Sequence, residues 1–193
     1  MGFDAFLDGC NFNNNFADSV GGAIHIAKKN FYGSANYVGF VDVKNSTFNL
    51  NSARHGAAVF SDSNHTFIAN NCFFNTNQAD SSGGAIYIDN SGQAIINKSL
   101  FTNNTALTGG GLNVSGINSN IVITNSTLRK NYALRQGGAF FLNNNANAYI
   151  YHVTVDSNST ESDQYNGGGG IYNNNGTINS YHSIYTGNFP NQV

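Results

Sequence analysis

One short pattern returns seven times along this chain: a small residue, an apolar residue two positions on, and an Asn three beyond that. It reads Cys10-Phe12-Asn15, Ser46-Phe48-Asn51, Cys72-Phe74-Asn77, Ser99-Phe101-Asn104, Ser126-Leu128-Asn131, Val153-Val155-Asn158 and Ser183-Tyr185-Asn188. The Asn residues are 36, 26, 27, 27, 27 and 30 positions apart. Two residues past each one stands Ala17, Ala53, Ala79, Ala106, Ala133, Thr160 or Pro190. A fixed period of this length marks a repeat architecture, in which each unit buries its apolar face only by stacking on the next.

Two further signals recur in register. A Gly-rich motif follows each of the first six Asn: Gly21-Gly22-Ala23-Ile24, Gly56-Ala57-Ala58-Val59, Gly83-Gly84-Ala85-Ile86, Gly109-Gly110-Gly111-Leu112, Gly137-Gly138-Ala139-Phe140 and Gly168-Gly169-Gly170-Ile171. An alternating run then shows one parity at Val41/Val43, Phe67/Ala69, Ala94/Ile96, Ile121/Ile123, Ala148/Ile150 and Ile178/Ser180. Each unit therefore reads as three short strands of period two, separated by Gly- and Asn-rich turns. It is too short for a propeller blade and has no helical segment for a leucine-rich repeat.

The expected fold is all-β: a right-handed, single-stranded parallel β-helix of about seven coils with three short strands each, forming one domain over residues 1–193. With neighbouring coils one strand spacing apart, the rod is roughly 30–35 Å long. The Phe column stacks inside. The Asn column occupies a turn, where Asn tolerates the left-handed backbone and its amide bonds the coils above and below. Composition agrees: 35 Asn, 18 Ser, 12 Thr and 22 Gly supply turns and polar ladders, and the single proline leaves the strands uninterrupted. With 40% hydrophobic and 9% charged residues, the chain is not of the disordered class. Insertions at 28–37 and 161–166 break the period and read as loops.

Paired Gly-Gly-Ala-Ile and Phe-x-x-Asn motifs, once each per coil, resemble the repeats of the chlamydial polymorphic outer membrane proteins. They are also similar to Asn-rich adhesin-like proteins of methanogenic archaea and to some protist surface proteins. The resemblance covers nearly the whole chain. It implies an extracellular or cell-surface adhesin, or a structural stalk or scaffold segment, that attaches to a glycan or protein receptor. The pattern drifts where Leu128 and Val155 replace Phe and where Gly111 and Gly170 replace Ala.

Net charge is −2 and the eight Lys and Arg are scattered, which argues against nucleic acid. No apolar run is long enough for a membrane helix, so direct membrane insertion is not expected. Residues 1–20 carry no signal-peptide pattern, and the chain reads as an internal piece of a longer protein. The rival reading is a polysaccharide lyase or glycoside hydrolase, which needs clustered carboxylates. Only Asp62 and Asp89 share a column, and Ala27, Ser115 and Asn143 occupy it on other coils. They are the sole candidates for a cation or catalytic site. The expectation is no enzyme, no metal and no cofactor. His152 and His182 share another column without further ligands in view. Cys10 and Cys72, two coils apart, are beyond disulfide reach and are expected to be free and buried.

The candidate binding surface is the outward side of the Gly-Gly-Ala strand. Its residues His25, Phe60, Tyr87, Phe141 and Tyr172, with Asn113 between, form an aromatic stripe suited to sugar rings or a partner's aromatics. Phe31 and Tyr32 on the first insertion extend this set. Neither end of the rod carries a cap, so association end to end with further coils or copies is expected.

Overall fold

A computed structural model describes residues 4–27, 39–161 and 167–190. It is an all-β parallel solenoid with four sheets, two of seven strands and two of six. One repeat shows the plan: Thr66–Asn70 lies in sheet A, Phe73–Asn75 in sheet B, Gln78–Ser82 in sheet C and Ile86–Ile88 in sheet D. Each strand pairs in parallel with its counterparts one repeat before and after.

The expectation of three strands per coil is corrected to four. A corner before each ladder Asn separates the Phe position from the Ala position, and each lies on a strand of its own. Just before each ladder Asn, the residues Asn14, Leu50, Thr76, Asn103, Lys130, Ser157 and Gly187 all take positive φ, between 53° and 60°. A left-handed residue reverses the alternation and ends the strand. The ladder Asn residues themselves are not among the positive-φ positions. Their assigned role in tolerating that conformation is therefore also corrected: the preceding residue takes it.

The corner between sheets C and D is left-handed too, and every residue there is Gly, from Gly21 to Gly168. Gly109 shows why. Its φ is +64°, and an added Cβ would sit 2.3 Å from the Leu112 carbonyl oxygen. At the other corners Asn, Lys, Thr, Ser, Leu and His all serve, because only the modest left-handed penalty applies there.

The core is a set of columns. Phe12, Phe48, Phe74 and Phe101 stack face to face with centroids 4.5–4.6 Å apart and planes within 9°. The inward residues of sheet A, including Val43, Phe67, Ile96, Ile121 and Ile150, are buried. The Asn ladder is continuous from Asn15 to Asn188, with each Nδ2 donating to the next Oδ1 at 2.8–2.9 Å. Each Oδ1 also accepts the previous Asn's backbone N–H. The second Nδ2–H goes to the apolar column's carbonyl on the preceding coil, as from Asn104 to Phe74. From Asn51 to Asn158 all the donors and acceptors of these buried amides are thereby used, which a side chain without both functions could not achieve.

The small-residue column is a second polar ladder. Ser99 Oγ accepts the Cys72 N–H and donates to the Asn97 carbonyl. Cys72 is buried and Cys10 half-buried, and both thiols are free. Cys10 therefore departs from the burial expected of it, because its strand lies on the outermost position of sheet B.

Candidate functional site

The outward side chains of sheet D form one column. His25 pairs with Phe60, Phe60 with Tyr87, Tyr87 with Asn113, Asn113 with Phe141 and Phe141 with Tyr172. Ring contacts follow this order. His25, Phe60 and Tyr87 meet edge to face at 5.3–5.4 Å, and Phe141 stacks on Tyr172 at 5.7 Å.

This column is not the open stripe that period-two parity implies. Phe60 is only 8% exposed and Phe141 7%. His25 is exposed, while Tyr87 and Tyr172 are half-buried. The glycine corner is the physical cause. It bends the chain so that the last residues of sheet C lie against the outer side of sheet D. The His55 ring sits 5.7 Å from Tyr87, and Asn113 Nδ2 donates to Thr108 Oγ1 at 3.3 Å. His55, Ser82, Thr108 and Gln136 form one paired line along this wall. His55 is not part of the aromatic stripe that the sequence marks. Its position one before the corner glycine, shared with Ser82 and Thr108, was the available signal. Phe31 and Tyr32 lie outside the described residues, as does the insertion at 28–37. Of the insertion at 161–166, only Glu161 is described.

The crowding perturbs the titrating groups. Partial desolvation where its ring meets Phe60 lowers the His25 imidazole although the residue is exposed, partly offset by the Asp62 carboxylate. Burial also lowers His55, and the Arg54 charge adds to it. The Tyr87 hydroxyl is pushed up to about 12, first by burial and then by Asp89, against a hydrogen bond with Ser115.

Asp62 and Asp89 do fall on consecutive coils. Asn90 Nδ2 donates to Asp89 Oδ2 at 3.1 Å and to Asp62 Oδ1 at 3.4 Å, joining the two carboxylates. Burial raises the Asp89 carboxyl, and Asp62 contributes in the same direction. Among the described residues no group of three or more His, Cys, Asp or Glu side chains could hold a metal ion. His152 and His182 stack at 5.2 Å beside the stacked Tyr151 and Tyr181, all at the corner between sheets A and B.

A second outward line lies on sheet A, opposite the inward parity that the sequence marks. Ile68, Ile95, Val122 and Tyr149 are paired in sequence on its outer face. Ile95 is 45% exposed and Tyr149 37%.

The four sheets, the buried Asn ladder and the glycine corner define a parallel β-solenoid repeat protein. Two of its segments, residues 9–27 and 71–89, match the Chlamydia polymorphic membrane protein repeat, and the chain carries repeats of that kind. Each matched segment begins at the left-handed corner before a Cys-x-Phe strand and ends just past a sheet D strand. No curated protein and no solved structure matches the chain.

Proposed function

We propose that this chain is one right-handed rod of about seven coils that serves as a cell-surface adhesin or scaffold segment and presents its outer faces to a glycan or protein partner. The observation that carries this reading is the match of two segments to the Chlamydia polymorphic membrane protein repeat. The division of labour among side chains supports it. The recurring Asn, Gly, Ser and Phe are consumed by ladders and corners, so variation between coils is concentrated on outward positions. Residues His25, Tyr87 and Tyr172 and the sheet A line provide aromatic and aliphatic surface for contact. An extracellular or surface location follows from the same reading.

Attachment of the purified chain to cultured cells, scored against a scrambled-loop control protein of equal charge, tests it. Saturable attachment is the expected result, and none across a range of cell types would sink the adhesin reading. The joined Asp62–Asp89 pair favours a second reading, a polysaccharide-active enzyme. Turnover of a polyuronide or neutral glycan that disappears in Asp62→Asn or Asp89→Asn would put that reading first.

A further inference from the structure

The outer face of sheet C carries a depression of about 420 Å³ that lies away from the sheet D column. Two lines of outward side chains build it. Gln78, Thr105 and Tyr132 form one, aligned by the strand register. Asp80, Leu107 and Leu134 form the other, two residues further along each strand. Ala79 and Ala106 between them are buried and form the floor.

The hollow has a local cause. In every fully paired strand of sheet C the register shifts just after the alanine, at Ala17/Val20, Ala79/Ser82 and Ala106/Thr108. A bulge bends the strand and redirects the side chains around it. Because alanine is the inward residue, the sheet also approaches the core closely there. A repeated bend over small residues leaves a concave strip, and three coils of it span roughly 10 Å.

The lining is of mixed chemistry. Tyr132 contributes a ring, Leu107 and the 40%-exposed Leu134 contribute apolar surface, and the rim offers a carboxylate, an amide and a hydroxyl from Asp80, Gln78 and Thr105. A pyranose has the complementary surface: an apolar C–H face that packs on an aromatic or aliphatic wall, edged by hydroxyls that donate to carboxylates and amides. Charge narrows the class. The lining holds one carboxylate and no cation. The Tyr132 hydroxyl lies above its ordinary pKa, first through burial and then through the Glu161 carboxylate, so a second negative charge stands close by. Sialylated, sulfated or uronic units would meet these carboxylates, with no basic side chain in the lining itself.

We infer that this depression on sheet C is a saccharide subsite that takes a neutral hexose or N-acetylhexosamine unit of a glycan, one to two sugars long. It rests on the surface-binding reading above and names the partner chemistry and a place for it. Recognition works by stacking on Tyr132 and Leu134 and by sugar hydroxyls donating to Asp80.

The test uses the whole chain, titrated with lactose, cellobiose and N,N′-diacetylchitobiose as neutral probes and 3′-sialyllactose as the anionic one. Amide chemical shifts and calorimetry provide the readouts. At least one neutral disaccharide is expected to move the signals of residues 78–80, 105–107 and 132–134. The sialylated probe is expected to bind at least tenfold more weakly. Tyr132→Ala and Asp80→Asn, both on the outer face, should each weaken binding at least tenfold while leaving the circular dichroism spectrum unchanged. Lys98→Gln, at the exposed corner between sheets A and B, should leave binding as it was. The inference is overturned if no neutral probe perturbs sheet C, if sialyllactose binds as tightly as lactose, or if Tyr132→Ala binds normally. Cell attachment, scored in parallel, separates the two readings. Wild-type attachment retained in full by Tyr132→Ala defeats the subsite alone, whereas sugar binding without any attachment defeats the adhesin reading alone.

Discussion

Replacing Asn104 with alanine removes an amide that makes four hydrogen bonds. Its Nδ2 donates to Asn131 Oδ1 and to the Phe74 carbonyl, and its Oδ1 accepts both the Nδ2–H and the backbone N–H of Asn77. Asn131 Oδ1 keeps a partner, because the Asn104 backbone N–H still reaches it. Asn77 does not: its backbone N–H and one amide N–H are left in a position with no solvent exposure. Two buried donors without acceptors cost about 1–3 kcal/mol each, so the expected loss is about 2–6 kcal/mol. That is a large part of the ~5–15 kcal/mol a folded domain commands. The neighbouring Asn103→Gly is the internal control. Asn103 is exposed, holds φ at +55° and makes one long bond of 3.3 Å to Asn75, so its replacement should change stability by less than about 1 kcal/mol. Urea unfolding followed by circular dichroism measures both, since the chain has no Trp for fluorescence. An Asn104→Ala loss below about 1 kcal/mol, or one no larger than that of Asn103→Gly, would refute the ladder reasoning.

Gly109→Ala should destabilise by about 2 kcal/mol or more, since a left-handed penalty adds to a 2.3 Å clash with backbone, whereas Gly9→Ala, with open space around it, should cost roughly 1 kcal/mol in the same assay. His25 and His55 have folded pKa values below 6.5, so protons favour the unfolded chain and stability should fall as pH drops through 6.5. Asp89, raised above 3.8, acts in the opposite sense at lower pH, where the folded carboxyl protonates first. A His25→Gln, His55→Gln double variant should flatten the decline near 6.5 in urea midpoints taken across that range. Iodoacetamide should label half-buried Cys10 before Cys72, whose thiol is buried and raised in pKa, and mass spectrometry of timed samples reads the order.

Much of the fold was legible because stacking repeats itself. A parallel solenoid places residue i against its counterpart one repeat on, so the spacing of Asn51, Asn77 and Asn104 alone predicts that their amides meet. Period-two parity likewise predicts that Val43, Phe67 and Ile96 are inside and that His25, Phe60 and Tyr87 share one outward line. These are properties of register, and register is written in the order of residues. The columns of sheet D, the face-to-face Phe stack and the Asn ladder all follow from it.

What register does not contain is curvature. Whether a corner turns the outer faces apart or folds them together depends on backbone direction over several residues and on carbonyls from the adjoining segments. Leu50 and Lys130 gave no hint in their side chains that they would adopt the left-handed conformation and set a corner between the Phe and Ala positions. The bend at Gly83 and its counterparts brought His55 onto Tyr87 and buried Phe60, which parity alone marks as exposed. The same is true of sheet C, where a register shift after Ala79 hollowed a surface that reads in sequence as plain alternation. Alternation is a local preference of each residue, while bends and bulges are settled by packing between neighbouring coils, and those contacts exist only once the chain has stacked.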